Sequence, residues 1–251
     1  MLLQYTTSLL NGEKNVPEIT ISTALFFGFL LGVKHALDAD HIVAVTTIIS
    51  RSSSIFRSVL VGLNWGIGHT LTLFAVGFGV LVFKLTIPDR LALSIEFIVG
   101  VVLVLLGIPL IRQLVRGSTH IHVHQHGDIR HLHSHAHHDE PPDHDHQHLR
   151  RPLLIGIMHG LAGSGALTLL VLSTVSSVVQ GLLFLLLFGI GSILGMLLFS
   201  GLIALPFRLT TGLSLRLNLW VQGSAGLISV AFGLFIIWQT GFVGGLFVST
   251  S

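Results

Sequence analysis

Cysteine is missing altogether from these 251 residues, so disulfides and thiolate metal sites are excluded. Any metal chemistry must then run through imidazole and oxygen ligands. Charge is scarce as well: 10% of residues are Asp, Glu, Lys or Arg against 51% hydrophobic, and the mean hydropathy is +0.84. Those values lie outside the soluble globular class. The formal net charge of +2 is too small to argue for nucleic acid, and no G-x-x-x-x-G-K-[ST] loop is present to cradle the phosphates of ATP. The opening residues lack the basic start, compact apolar stretch and small-residue cleavage site of a secretory signal, so the mature chain is expected to start near Met1. H-E-x-x-H is absent and no glutamate lies near His35 or His41, which leaves a metalloprotease without its base.

What is abundant is apolar sequence. Runs long enough to cross about 30 Å of hydrocarbon occur at roughly 19–50, 57–83, 91–112, 152–176, 178–206 and 219–246, which predicts an all-α integral membrane protein of six transmembrane helices. The first run is longer than one span needs, so it is either one tilted helix or a helix broken near its polar motif. With six spans, one face receives Arg51, Arg57, Arg112, Arg116, Arg130, Arg150, Arg151, Arg208 and Arg216, and the other only Lys14, Lys84 and Arg90. By the positive-inside rule both termini lie outside and the long segment between spans 3 and 4 is cytoplasmic.

The two halves of the chain resemble each other. "LGVKHALDADHIVAV" can be laid over "IGIMHGLAGSGALTL", pairing His35 with His159, and "WGIGHTL" over "FGIGSIL", pairing Gly66 with Gly189. Gly100 and Gly107 then fall over Gly226 and Gly233. A repeat of three spans, an odd number, must enter the membrane in opposite senses, so two inverted three-helix repeats are expected, with a site near the midplane between them. The expected organisation is an extracytoplasmic segment at 1–18, a first repeat at 19–115, a disordered histidine-rich cytoplasmic loop at 116–151, and a second repeat at 152–251.

The candidate chemistry sits in "GVKHALDADHIVAV". On a helix at about 100° per residue, His35, Asp38 and His41 share one face and can converge on one ion. Asp40 is either a group that holds an imidazole tautomer or one brought in by a helix break. An aspartate at a helix centre costs on the order of 2.5–3.5 kcal/mol, so two in one turn point to a cation; Lys34 can neutralise a carboxylate when that ion is absent. His69, flanked by Gly66 and Gly68, is either a further ligand or a cross-helix hydrogen-bonding residue. His159 either contributes a ligand or is a packed core histidine, since the positions matching Asp38, Asp40 and His41 are Ala162, Ser164 and Gly165. Twelve of the sixteen histidines lie between His120 and His148, beside Asp128, Asp139, Glu140, Asp143 and Asp145. That composition cannot bury a core and offers many shallow divalent-metal sites, a cytoplasmic metal buffer.

These motifs resemble a known family. "HALDADHI" matches the H-x-x-x-x-D-H signature of the nickel/cobalt transporter family, and "GIGHTLTL" is similar to that family's second motif. The resemblance implies a permease for Ni²⁺ or Co²⁺ with His35, Asp40 and His41 as signature residues, Asp38 beside them, and His69 from the second motif. The second half departs from it: six spans are predicted where members usually have eight, and "HGLAGSGALTLLVLSTV" stands where acidic, threonine-rich motifs are usual. The chain is closer to the shorter relatives associated with urease maturation, and its histidine-rich segment is similar to those of nickel/cobalt efflux proteins. The expected function is a secondary transporter, not an enzyme, with a divalent transition-metal ion as cargo, no resident cofactor, the lipid bilayer as surroundings and a cytoplasmic metallochaperone as candidate recipient. Uptake is the leading direction and efflux the rival. From another class, a membrane haem protein could draw axial ligands from the four spanning histidines.

Overall fold

The computed structural model describes residues 21–52, 54–116, 121–126, 129–134, 147–174 and 177–247. Segment 1–18 and part of the histidine-rich loop lie outside the described residues. In chain order the helices are α1 (Ile21–His35), α2 (Ala39–Ile49), α3 (Ile55–Phe83), α4 (Asp89–Arg116), α5 (Gln147–Thr174), α6 (Val178–Leu213) and α7 (Leu215–Trp238), which runs into a π turn at Gln239–Val243.

Among the described residues, four helices are long and apolar enough to cross a membrane: Ile55–Phe83, Asp89–Val115, Val178–Leu213 and Leu215–Val243. They account for four of the six expected spans. The first expected span is two short apolar helices, α1 and α2, broken at 36–38. This corrects the picture of His35, Asp38 and His41 on one continuous helix face. α5 runs for 28 residues through the fourth expected span. Exposed side chains such as Phe26, Phe56, Leu71, Leu198 and Trp220 cover the outside of the bundle, where a bilayer rather than water suits them.

Between α4 and α5 the expectation of a wholly disordered loop is corrected by two antiparallel strands, β1 (Ile121–His126) and β2 (Ile129–Ser134). The physical reason is local: in Ile121–His126 the β-branched Ile121 and Val123 alternate with histidines at period two, the spacing of a strand. The register sets His122 opposite His133 and His124 opposite His131.

Packing is by small residues. Lipid gives apolar side chains no reason to leave it, so helices in a bilayer associate where backbones can approach closely. α1 lies along α6, α3 along both α5 and α6, and α4 along α7. At these crossings a Cβ would meet a neighbouring carbonyl oxygen: Gly32 faces that of Phe188 and Gly156 that of Trp65, Gly68 faces that of Leu153 and Gly191 that of Phe29. Gly100 and Gly233 face each other's carbonyls, as do Gly107 and Gly226. The main apolar cluster joins α2, α3, α4 and α6 through Val45, Ile49, Trp65, Leu103, Met196 and Ala204. Ser229 ties α7 to α4, its hydroxyl donating to the Leu103 carbonyl at 2.8 Å.

Candidate metal site

The break in the first span builds the site. After His35 the backbone tightens, with Leu37 N–H bonding to Lys34 O at 2.9 Å and Asp38 N–H to His35 O at 3.0 Å, one residue shorter than α-helical spacing. α2 then restarts with Ile42 N–H bonding to Asp38 O at 3.0 Å. Asp38 therefore holds the N-cap of α2, a position its residue type favours, with the extended backbone φ −62°, ψ 145°. Yet it makes no side-chain cap bond. Its carboxylate turns the other way and meets His35 Nδ1 at 2.8 Å. Asp40, in the first turn of α2, sits where the helix dipole favours a negative charge.

Three imidazoles from three helices converge. His35 ends α1, His41 opens α2 and His69 lies in the middle of α3, and one nitrogen from each falls within 4.8 Å of the others. His35 Nε2 and His69 Nε2 are 2.9 Å apart, a hydrogen bond between rings. The His41 ring centroid is 4.8 Å from that of His35 and 4.8 Å from that of His69. Two nitrogens on one ion at about 2.1 Å cannot be more than about 4.2 Å apart, so the widest pair has to close by at least about half an ångström to share an ion.

Proton placement follows from the partners. With His35 donating Nδ1–H to Asp38, its Nε2 carries a lone pair and accepts from His69. A carboxylate behind an imidazole in this way fixes the tautomer that a metal needs. His69 Nδ1 is buried without a partner, so that ring can move its proton there and free Nε2. His41 is 2% exposed and neither of its nitrogens makes a hydrogen bond. Asp40 Oδ1 lies 3.3 Å from His41 Nδ1, within ion-pair range but out of line for a hydrogen bond. A buried imidazole left bare at both nitrogens is costly unless something else binds it.

His159, on α5, stands one step away. Its Nδ1 is 3.1 Å from the Ile155 carbonyl, its Nε2 is unpartnered, and its ring centroid lies 5.8 Å from that of His41. It does not join the three-histidine group. Of the six residues singled out, the structure thus brings together His35, His41 and His69, puts Asp38 and Asp40 each behind one imidazole, and sets His159 beside Trp65 with centroids 4.7 Å apart.

A cavity of about 670 Å³ opens onto the group and is lined by His35, Asp38, Asp40 and His41, together with Lys34 and Glu96. Glu96, on α4, was not anticipated. Its signal was available, because it is a lone acid in an apolar span, and intramembrane ionisable residues mark function by default.

Residues 89–235 match the family model described as the cytochrome C biogenesis protein transmembrane region. That match begins after the histidine motif, so it speaks for the membrane scaffold of α4 to α7. The chain is also 40% identical over 232 residues to the urease accessory protein UreH of Bacillus sp. (strain TB-90), covering 92% of this chain and 97% of that protein. No solved structure matches it.

Proposed function

The chain belongs to the family of the cytochrome C biogenesis protein transmembrane region and groups with the urease accessory protein UreH, and on that premise we propose that it is a secondary transporter carrying Ni²⁺, with Co²⁺ as alternative cargo, across the cytoplasmic membrane in the uptake direction. It is a multi-pass membrane protein and not an enzyme. The observation that carries the reading is the convergence of His35, His41 and His69, with Asp38 and Asp40 behind them, in a span interrupted at that point. Neutral imidazole nitrogen and carboxylate oxygen suit borderline ions such as Ni²⁺ and Co²⁺. His159 serves the ion as a neighbouring station rather than as a member of the first group.

The reading includes two inverted repeats, at 19–115 and 152–251, and the glycine contacts support it. Under the alignment that pairs His35 with His159, the contact of Gly32 with Phe188 becomes that of Gly156 with Trp65, and the contact of Gly68 with Leu153 becomes that of Gly191 with Phe29. Gly100 against Gly233 becomes Gly226 against Gly107. Exchange of partners is what a two-fold axis in the membrane plane produces, and rocking of such halves about a central site is how many transporters alternate access. With both termini outside, the cavity runs from the histidines toward the start of α4 and the end of α7, the extracytoplasmic side. The loop at 116–151 is then cytoplasmic, a metal buffer whose histidines hand ions to a metallochaperone.

His35 and His69 do not suit haem as an axial pair: two axial nitrogens on one iron lie about 4 Å apart with a porphyrin between them, whereas these two touch at 2.9 Å.

Accumulation of radioactive nickel by cells expressing the protein or its His41→Ala variant tests the site. Loss of accumulation is expected; unaltered accumulation removes the motif from the mechanism. Deleting the gene tests direction: nickel enzymes should starve, and sensitivity to added nickel would establish export instead.

A further inference from the structure

The cavity holds more than the histidine group uses. Asp38, Asp40 and Glu96 supply three carboxylates and Lys34 one ammonium, so with neutral imidazoles the lining carries two net negative charges. Among the described residues, none of the three carboxylates is within ion-pair distance of a lysine or arginine, and the two aspartates reach only histidines. Glu96 is the outlier in origin. It comes from α4, seven residues beyond Asp89, whereas the histidines come from α1, α2 and α3. It lines the same cavity as Asp40. The same cavity is lined by Gln239 and Thr240 of the π turn, an element that recurs at functional sites because it re-aims backbone and side chains. His41, buried and without a hydrogen bond at either nitrogen, lines it as well.

We propose that Glu96 is an outer station for the divalent cation, capturing the ion in the cavity while it is still partly hydrated and passing it by way of Asp40 to His41. This rests on the transport reading above. A hard carboxylate that tolerates bound water suits a hydrated ion, and the imidazoles beyond it suit one that has shed that water. The arrangement separates capture from selection. Two negative charges in a low-dielectric cleft match one dication and attract a monovalent ion less strongly. Lys34 occupies the cleft as a tethered cation that the arriving ion displaces from its share of the field.

The test compares wild type, Glu96→Gln and Glu96→Asp as full-length protein in two measurements. The first is initial uptake of radioactive Ni²⁺ into proteoliposomes across a concentration series. The second is equilibrium binding of Ni²⁺ to the purified protein in detergent. Glu96→Gln should raise the KM for uptake by about tenfold, the low end of what a charged cleft contributes to association, with little change in maximal rate. Glu96→Asp should recover most of the loss, and equilibrium binding should stay within about twofold because the histidine group is intact. An unchanged KM in Glu96→Gln overturns the proposal. So does an equal loss of equilibrium binding, which would make Glu96 a ligand of the inner site. If wild-type protein binds no Ni²⁺ while remaining folded, the transport reading itself fails, a result distinct from either of these.

Discussion

Replacing Asp38 separates two jobs that its carboxylate could perform. If it orients His35, the loss on truncation is that of an outer partner behind a metal-binding histidine, about tenfold to a hundredfold in affinity. Asp38 is 47% exposed, so water competes for the His35 Nδ1–H and the lower bound applies. About tenfold, or about 1.4 kcal/mol, is therefore expected for Asp38→Ala in equilibrium dialysis of Ni²⁺ against the purified protein. Asp38→Asn keeps an acceptor for Nδ1–H while removing the charge, and should lose about threefold or less if orientation dominates. Since Asp38 makes no side-chain cap bond to α2, neither substitution should move the melting temperature by more than about 2 °C, unlike the loss of a working helix cap. Wild-type affinity in Asp38→Ala would refute the orienting role. Equal losses in Asp38→Ala and Asp38→Asn would assign the effect to charge.

Three further outcomes follow from packing and ligand chemistry. At Gly32 a new Cβ meets the Phe188 carbonyl and at Gly156 that of Trp65, so Gly32→Val and Gly156→Val should each destabilise by about 1–3 kcal/mol, read as lowered thermal stability in detergent. Gly212, with nothing within 4 Å, is the control: Gly212→Ala should be neutral or stabilising by up to about 1 kcal/mol, and the same loss at all three positions would undo the close-packing argument. Because metal and proton compete for imidazole nitrogen, Ni²⁺ affinity should fall as the solution is made more acid. Binding that stays undiminished down to the pH at which the protein unfolds would mean that histidine is not the ligand.

The membrane class, the polar motif and its partner His69 were legible because charge in an apolar run is conspicuous. The break at 36–38 was not decided by the sequence, since Ala36, Leu37 and Asp38 are all compatible with a continuing helix. A local and a tertiary contact accompany it: the Asp38 carboxylate bonds to His35 three residues back instead of capping α2, and Gly32 lets α1 sit close against α6 just before the turn. Glu96 escaped notice because it lies 55 residues beyond His41 and nothing near it in the chain carries a partner; the cavity makes the association. The strands in the histidine-rich segment were hidden by composition, which argues for disorder, although the residue-by-residue alternation argues for pairing.

The second half offers a sharp test of the proposed repeat. In the alignment of "WGIGHTL" with "FGIGSIL", Ser192 occupies the place of His69. It is fully buried, yet its Oγ makes no hydrogen bond, although a serine inside a membrane helix can usually reach its own preceding turn. An orphaned buried hydroxyl costs about 1–3 kcal/mol, so Ser192→Ala should leave the fold unchanged or more stable by about 1 kcal/mol, and Ni²⁺ affinity should be unaffected. The comparison is with Ser229→Ala, where a hydroxyl bonded to the Leu103 carbonyl is lost and a decrease of about 1 kcal/mol is expected. Should Ser192→Ala weaken uptake while leaving stability and equilibrium binding intact, Ser192 would be reached by the ion during transit, and the second repeat would retain a working station opposite the first. Should it instead destabilise as much as Ser229→Ala, the hydroxyl has a partner in another state of the protein, and the exchange of helix contacts between the halves is where that partner must be sought.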